Sequence, residues 1–155
     1  MKVFKLKYSQ KLPLSLNQAW DFLSSPKNLE LITPKNMDFR ITDWDQKKAY
    51  PGQIIQYTVK PMFGLKLNWV TEITQVRDKE FFIDEQRFGP YSFWHHKHFL
   101  KEIDGGVLME DVIHYKIPFG PFGYILNFLF INSKLNSIFK YREEELTKLF
   151  GKFKS

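Results

Sequence analysis

Cysteine is absent from the chain, which removes disulfides, thiol nucleophiles and cysteine-ligated metals from consideration. No long hydrophobic run is present either. The most apolar stretch, YILNFLFI at 124–131, is interrupted by Asn127 and falls far short of the ~20 residues a bilayer-spanning helix needs. Residues 3–12 alternate instead of running apolar, so no cleaved signal is expected and the expected location is cytoplasmic. Runs of basic residues are missing too: Lys5, Lys7 and Lys11 stand at the front, Lys148, Lys152 and Lys154 at the back. The formal net charge of +6 and the pI of about 9.4 therefore describe a solvated basic surface, with no nucleic-acid partner expected. No nucleophile elbow, phosphate-binding glycine loop or HExxH motif occurs, so the common signatures of acyl transfer, nucleotide binding and zinc proteolysis are excluded.

What remains is a chain of 155 residues, long enough for one domain with a sizeable core and expected to be a single domain over 1–155. Aromatics make up 17% of it, including 16 Phe, so rings must line the interior, whether as solid core or as pocket. A first strand over 3–12 puts Phe4, Leu6 and Tyr8 on one face and Lys5, Lys7 and Ser9 on the other. Ser15 with Gln18 forms a capping-box pattern opening a short helix, and Ser25 with Pro26 opens a second, ended by Pro34. Strands are expected near 38–44, 53–59, 65–76, 81–88, 92–101 and 107–117. Turn chemistry separates them at Pro51-Gly52, Phe63-Gly64, 77–80, Gly89-Pro90 and Asp104-Gly105-Gly106. After the Pro/Gly-rich loop at 118–123, a helix over about 123–150 carries Phe128, Ile131, Leu135, Ile138, Phe139, Leu146 and Leu149 at helical spacing. The order is β-α-α, six strands and a long helix, an α+β fold with helices on one side of an antiparallel sheet.

Strand parity predicts which side chains meet that helix. A two-residue hairpin at Asp104 puts Trp94, His96, His98 and Leu100 on one face with Met109, Asp111, Ile113 and Tyr115, and the opposite face, rich in lysine, faces solvent with Lys101 beside Glu110. The same logic at Gly89-Pro90 turns Phe81, Ile83, Glu85 and Arg87 inward, and Leu65, Leu67, Trp69, Thr71 and Ile73 continue the face. A polar cluster of Glu85, Arg87, His96, His98 and Asp111 inside an apolar shell fits either a small-molecule site or a self-satisfied buried network.

The element order, with LPLSLNQAWDFLSSPKNLELITP, FGLKLNWVTEI, FFIDEQRFGPYSFWHHKHF and GGVLMEDVIHYKIPFGPFG, resembles the SRPBCC (START-like, polyketide cyclase/dehydrase-like) superfamily. It is similar above all to small bacterial members with a D-E-Q, G-P, W-x-H-x-H-x-F series, here Asp84, Glu85, Gln86, Gly89, Pro90, Trp94, His96, His98 and Phe99. The resemblance implies a helix-grip fold, a seven-stranded antiparallel sheet wrapped around the C-terminal helix with a hydrophobic cavity between. Function ranges widely across that superfamily. The expected function is binding of a hydrophobic or amphipathic, lipid-like or polyketide-like molecule. Its contacts are expected from Trp69, Phe81, Ile83, Arg87, Trp94, Met109, Ile113, Tyr115, Phe128, Ile131 and Leu135, with the apolar first turns of the helix as gate. The alternative is a cyclase- or dehydrase-type enzyme using Glu85, His96, His98 and Asp111 as acid, base or orienting groups. His96-x-His98 plus Asp111 has the makings of a zinc ligand set. Paired strand histidines are more often hydrogen-bonded core residues, and the expectation is no metal and no cofactor. Contact of the apolar helix start with a membrane surface stays open, as does the oligomeric state.

Overall fold

Alternation along β1 (Phe4–Leu12) leaves every second residue exposed until buried Leu12, as its apolar and lysine faces demand. The computed structural model describes residues 2–61 and 64–154. Ser15 caps α1 (Leu16–Leu23): its hydroxyl accepts the Gln18 N–H at 3.3 Å and the Gln18 side chain accepts the Ser15 N–H at 3.0 Å, a cap worth about 1 kcal/mol. The second short helix of the sequence reading is instead a 3₁₀ turn, Pro26–Glu30, and Ser25 makes no side-chain cap bond to it. A further 3₁₀ turn, Lys35–Met37, precedes the strands. Chain this short between two prolines closes i to i+3 turns more readily than an α-helix.

Six strands follow: β2 (Arg40–Asp43), β3 (Gln53–Val59), β4 (Leu67–Arg77), β5 (Phe81–Phe88), β6 (Phe93–Ile103) and β7 (Gly106–Lys116). With β1 they form one antiparallel sheet in the order β1-β7-β6-β5-β4-β3-β2. Of the expected Phe63-Gly64 turn, Phe63 lies outside the described residues, while Gly64 has a φ of 68°. Gly106 sits where β7 meets β1, and a Cβ there would run into the Leu12 carbonyl oxygen, so only glycine allows the strands this approach. The solvent-side pairing expected of Lys101 and Glu110 does not form. Lys101 stands opposite Leu108, and Glu110 pairs with Lys7 of β1 at 2.7 Å.

The C-terminal helix begins as α2 (Pro121–Leu126), passes through a π-helical turn (Asn127–Ile131) and continues as α3 (Asn132–Phe150). A π turn spaces hydrogen bonds at five residues rather than four and so shifts the inward stripe. The buried positions of α3 are Leu135, Phe139, Arg142 and Leu146, and upstream the buried residues are Gly123 and Asn127 rather than Phe128, which is 84% exposed. Leu149 is also exposed, so both ends of the expected apolar face are corrected. Asn127 accepts the Tyr115 hydroxyl at 2.7 Å, fixing this turn against β7.

Three apolar clusters hold the helix. Leu146 packs with Leu12, Trp20, Phe82 and Val107, Leu135 and Phe139 with Ile113, Tyr115 and Ile117, and Ile138 against Met37, Val59 and Trp69. Each fully buried side chain of this size contributes about 1.5–3 kcal/mol. The outcome is an α+β helix-grip arrangement. Among the described residues no helix is long and apolar enough to cross a membrane.

Candidate functional site

The register of β6 against β7 pairs His96 with Ile113, His98 with Asp111 and Trp94 with Tyr115, the parity expected of the tight turn at Asp104-Gly105. Across β5 and β6 the expectation fails. Asp84 stands opposite His96 and Phe82 opposite His98, whereas a two-residue turn at Gly89-Pro90 would pair Phe88 with Tyr91 and set odd positions against even. One residue of turn length flips a whole strand face. Phe82 and Asp84 therefore join the inner face, and Phe81, Ile83, Glu85 and Arg87 leave it. Phe81 packs on Phe99 with ring centroids 5.9 Å apart, Ile83 is buried away from the cavity, and Glu85 lies 3.4 Å from His95 and 3.6 Å from Arg87.

Between sheet and helix lies a cavity of about 350 Å³, within the roughly 300–1,000 Å³ range of ligand sites. Trp69, Trp94, Ile131 and Leu135 line it, as do Tyr57 and Tyr91, which parity reasoning did not single out. Its aromatic wall is continuous: Tyr57 stacks on Trp69 at 5.7 Å, Trp69 meets Trp94 edge-on at 5.4 Å, and Trp94 meets Tyr91 at 4.8 Å. Met109, Ile113 and Tyr115 are buried on the inner face but do not reach the cavity wall. Phe128 points to solvent with Phe119, Phe122, Ile125 and Leu129. Exposed Leu65 and the partly exposed wall residues Pro61, Ile131 and Lys134 mark the rim.

One end of this cavity is polar, formed by Asp84, His96, His98 and Arg142. His98 Nε2 lies 2.7 Å from Asp84 Oδ2, and His96 Nε2 lies 2.8 Å from Asp111 Oδ1. The second nitrogens close the ring, His96 Nδ1 being 3.4 Å from Asp84 Oδ2 and His98 Nδ1 2.9 Å from Asp111 Oδ1, the latter off the line of a hydrogen bond. Trp94 donates its indole N–H to Asp84 Oδ1 at 3.2 Å. Asp111 is wholly buried, and Arg142 reaches it from α3 with Nη1 at 3.5 Å. Behind the cluster a second cleft, between β1 and α3 and lined by Tyr8, Gln10 and Glu143, also touches Asp111 and Arg142.

Burial sets the protonation of these groups. It pulls the His96 pKa below the ordinary value, reinforced by the charge of His98 and only partly opposed by Asp84 and Asp111. Burial also works against His98, but its contacts to Asp111 and Asp84 outweigh that and hold its pKa above the ordinary value. For Asp111 burial would raise the pKa, yet Arg142, His96 and His98 together hold it well below the carboxylate range. Asp84 is likewise lowered against its burial by the two histidines. With His96 neutral, the charges of Asp84 and Asp111 balance those of His98 and Arg142, as burial requires. Among the described residues, Arg142 Nε, the indole N–H of Trp69, His98 Nδ1 and Asp111 Oδ2 are buried here without a hydrogen-bond partner.

Arg142 and Asp84 are the members that sequence reasoning missed. Arg142 left a signal, a charged residue between Phe139 and Leu146 on the buried stripe of α3. Asp84 lay inside the D-E-Q series and was hidden only by the parity error.

This sheet, helix and cavity constitute the helix-grip fold that the SRPBCC resemblance implied. Solved structures share it from end to end. Protein Ms6760 from Mycobacterium smegmatis superposes with a TM-score of 0.66 and 17% identity over 96% of this chain and 98% of its own. Protein CV1439 from Chromobacterium violaceum gives 0.71 and 10% over 95% and 96%, and ginseng major latex-like protein 151 from Panax ginseng 0.61 and 13% over 92% and 96%. No family model matches the sequence, and no curated protein matches it either. At such identities the likeness establishes the fold alone.

Proposed function

We infer that the chain binds a hydrophobic or amphipathic small molecule, of lipid-like or polyketide-like class, in the cavity between sheet and C-terminal helix. The observation that carries this reading is a cavity of about 350 Å³ with an aromatic wall and one polar end. A solid core closes such space, because interiors pack to crystal-like density. The unpartnered Trp69 and Arg142 donors favour a ligand with oxygen acceptors, since an unsatisfied buried donor costs about 1–3 kcal/mol that an acceptor would recover. A hydrocarbon body against the rings with a carbonyl or carboxylate at the Arg142 end meets both conditions.

Trp69 and Trp94 supply the readout. Titration with environment-sensitive fatty acid and planar aromatic acid probes should quench their fluorescence, and native mass spectrometry after gentle purification should show a retained small molecule. Leu135→Trp, which fills the cavity from α3, should weaken probe binding at least tenfold, about 1.4 kcal/mol. No retained mass, no displaceable probe and no effect of filling the cavity would end this reading.

The enzymatic alternative, a cyclase or dehydrase, draws on one feature. Neutral His96, lining the cavity and hydrogen-bonded to Asp111, is arranged as a base. In that reading Asp84 takes the place of Glu85, which faces the other side of the sheet. Turnover of a bound probe that is lost in His96→Gln while binding persists would favour it over simple binding.

A further inference from the structure

We propose that Asp84, His96 and His98 form a site for a divalent first-row transition metal, zinc by preference, with an open coordination position facing the cavity. The site stands on its own geometry and holds whether or not the cavity takes a hydrophobic ligand.

The candidate ligand atoms converge, all within 4.8 Å of one another: Asp84 Oδ2, a nitrogen of His96 and a nitrogen of His98. Each imidazole turns one nitrogen to Asp84 and the other to Asp111. His96 Nε2 and His98 Nδ1 both approach Asp111 Oδ1, at 2.8 and 2.9 Å, while His96 Nδ1 and His98 Nε2 both approach Asp84 Oδ2, at 3.4 and 2.7 Å. Place the ring protons where the wholly buried carboxylate of Asp111 attracts them. Two imidazole lone pairs and a carboxylate oxygen then meet at one buried point, where the positive charge comes either from a second proton on His98 or from a metal ion. One proton on His98 serves the shorter contact alone. A metal serves all three.

Dimensions and chemistry agree. Metal–nitrogen and metal–oxygen bonds of about 2.0–2.2 Å in a tetrahedron set ligand atoms roughly 3.3 Å apart. The His96 contact has that separation, and the His98 contact needs only a small side-chain rotation to reach it. Metal-bound histidines characteristically give their other N–H to a carboxylate, and ligating carboxylates are themselves hydrogen-bonded. Asp111 offers the first to His96 at 2.8 Å and stands 2.9 Å from the His98 nitrogen, which needs a small ring rotation to align with it, and the Trp94 indole at 3.2 Å provides the second for Asp84. Asp111, considered from sequence as a ligand, thus holds the ligands instead, with Arg142 offsetting its charge. Two imidazoles and one carboxylate suit zinc and its neighbours rather than calcium or magnesium. Because all three side chains line the cavity, the fourth position opens to whatever the cavity contains, the layout of a reactive rather than a structural zinc site.

The test uses the full chain stripped with chelator and titrated with Zn²⁺ alone by calorimetry, with Co²⁺ as an optical probe. One equivalent should bind with a Kd in the micromolar range or tighter, and Co²⁺ should give the visible absorption of a four-coordinate ion. Zn²⁺ should shift the imidazole resonances of His96 and His98 and leave those of His95 and His114 in place, a readout that needs no variant. His98→Gln should abolish the site, and Asp111→Asn should weaken it about 10–100-fold. His95→Ala, on the opposite sheet face, should change nothing. A Kd weaker than about 0.1 mM, perturbation of His95 or His114 instead, or full affinity in folded His98→Gln would each overturn the assignment.

Discussion

Two ion networks sit back to back on β5 and β6, one residue apart in sequence, and the sheet between them gives them opposite physics. On the outer face Glu85 meets His95 and Arg87, and Arg87 donates to Glu72 at 2.5 Å, with Arg87 and Glu72 side chains 44% and 27% exposed. On the inner face Asp84 meets His96 and His98, which meet Asp111 and through it Arg142, with the Asp111 side chain 1% exposed. The residue types match. The outer set is backed by water, so its pairing is optional and worth about 0–1 kcal/mol per contact. The inner set has no such reserve, and every charge must find an opposite inside the protein.

Removing the hub of the inner network should produce the largest effect. Asp111→Ala leaves His98 and Arg142 facing one another without their shared anion, and its expected cost is about 3–5 kcal/mol in the free energy of unfolding. A denaturant titration followed by tryptophan fluorescence measures it. A loss below about 1 kcal/mol would place the inner network in the same class as the outer one and remove the contrast between them.

Arg142 should matter next. Arg142→Met keeps the apolar stem and removes the charge, so a loss of about 1.5–3 kcal/mol is expected from the charged contact alone. The sharper measurement is a double-mutant cycle with Asp111→Asn, in which partners this close should couple by about 0.5–3 kcal/mol. Additive single effects would mean that Arg142 serves the cavity or the cleft behind it, and that Asp111 is neutralised by the histidines alone.

The contrast between the faces also explains which parts of the site were legible in the sequence. The turn at Asp104-Gly105 belongs to a tight, well-defined type, so Trp94, His96, His98 and Asp111 fell on the correct face. The connection after β5 begins with Gly89-Pro90 but does not close as a two-residue turn, and sequence carries no marker of that extra length. Two-residue parity therefore turns Glu85 inward and Asp84 outward, whereas their cross-strand neighbours give the reverse: Glu85 sits between Glu72 and His95, as a solvated cross-strand set does. Helix phase failed for a related reason. Steps of three and four locate Leu135 and Phe139, but a π turn at Asn127–Ile131 leaves no trace in apolar spacing, so the helical pattern places Phe128 at a cavity that it faces away from. The fold itself survived both errors, because element order and sheet connectivity depend on where strands begin and end rather than on which way each one turns.

The outer network supplies the smallest effect and the strictest control. Glu85→Gln removes the carboxylate between His95 and Arg87 while leaving Glu72 to hold Arg87, so the expected loss is under about 1 kcal/mol. Salt should erase most of it, since at 1 M the screening length falls to about 3 Å, shorter than these contacts. The Asp111→Ala loss, shielded from ions by the core, should persist at the same ionic strength. Salt dependence thus separates the two faces more cleanly than magnitude does: an outer loss that ignores salt, or an inner loss that salt removes, would mean that the sheet does not divide water from core at β5 and β6 as the side chains of Asp84 and Glu85 indicate.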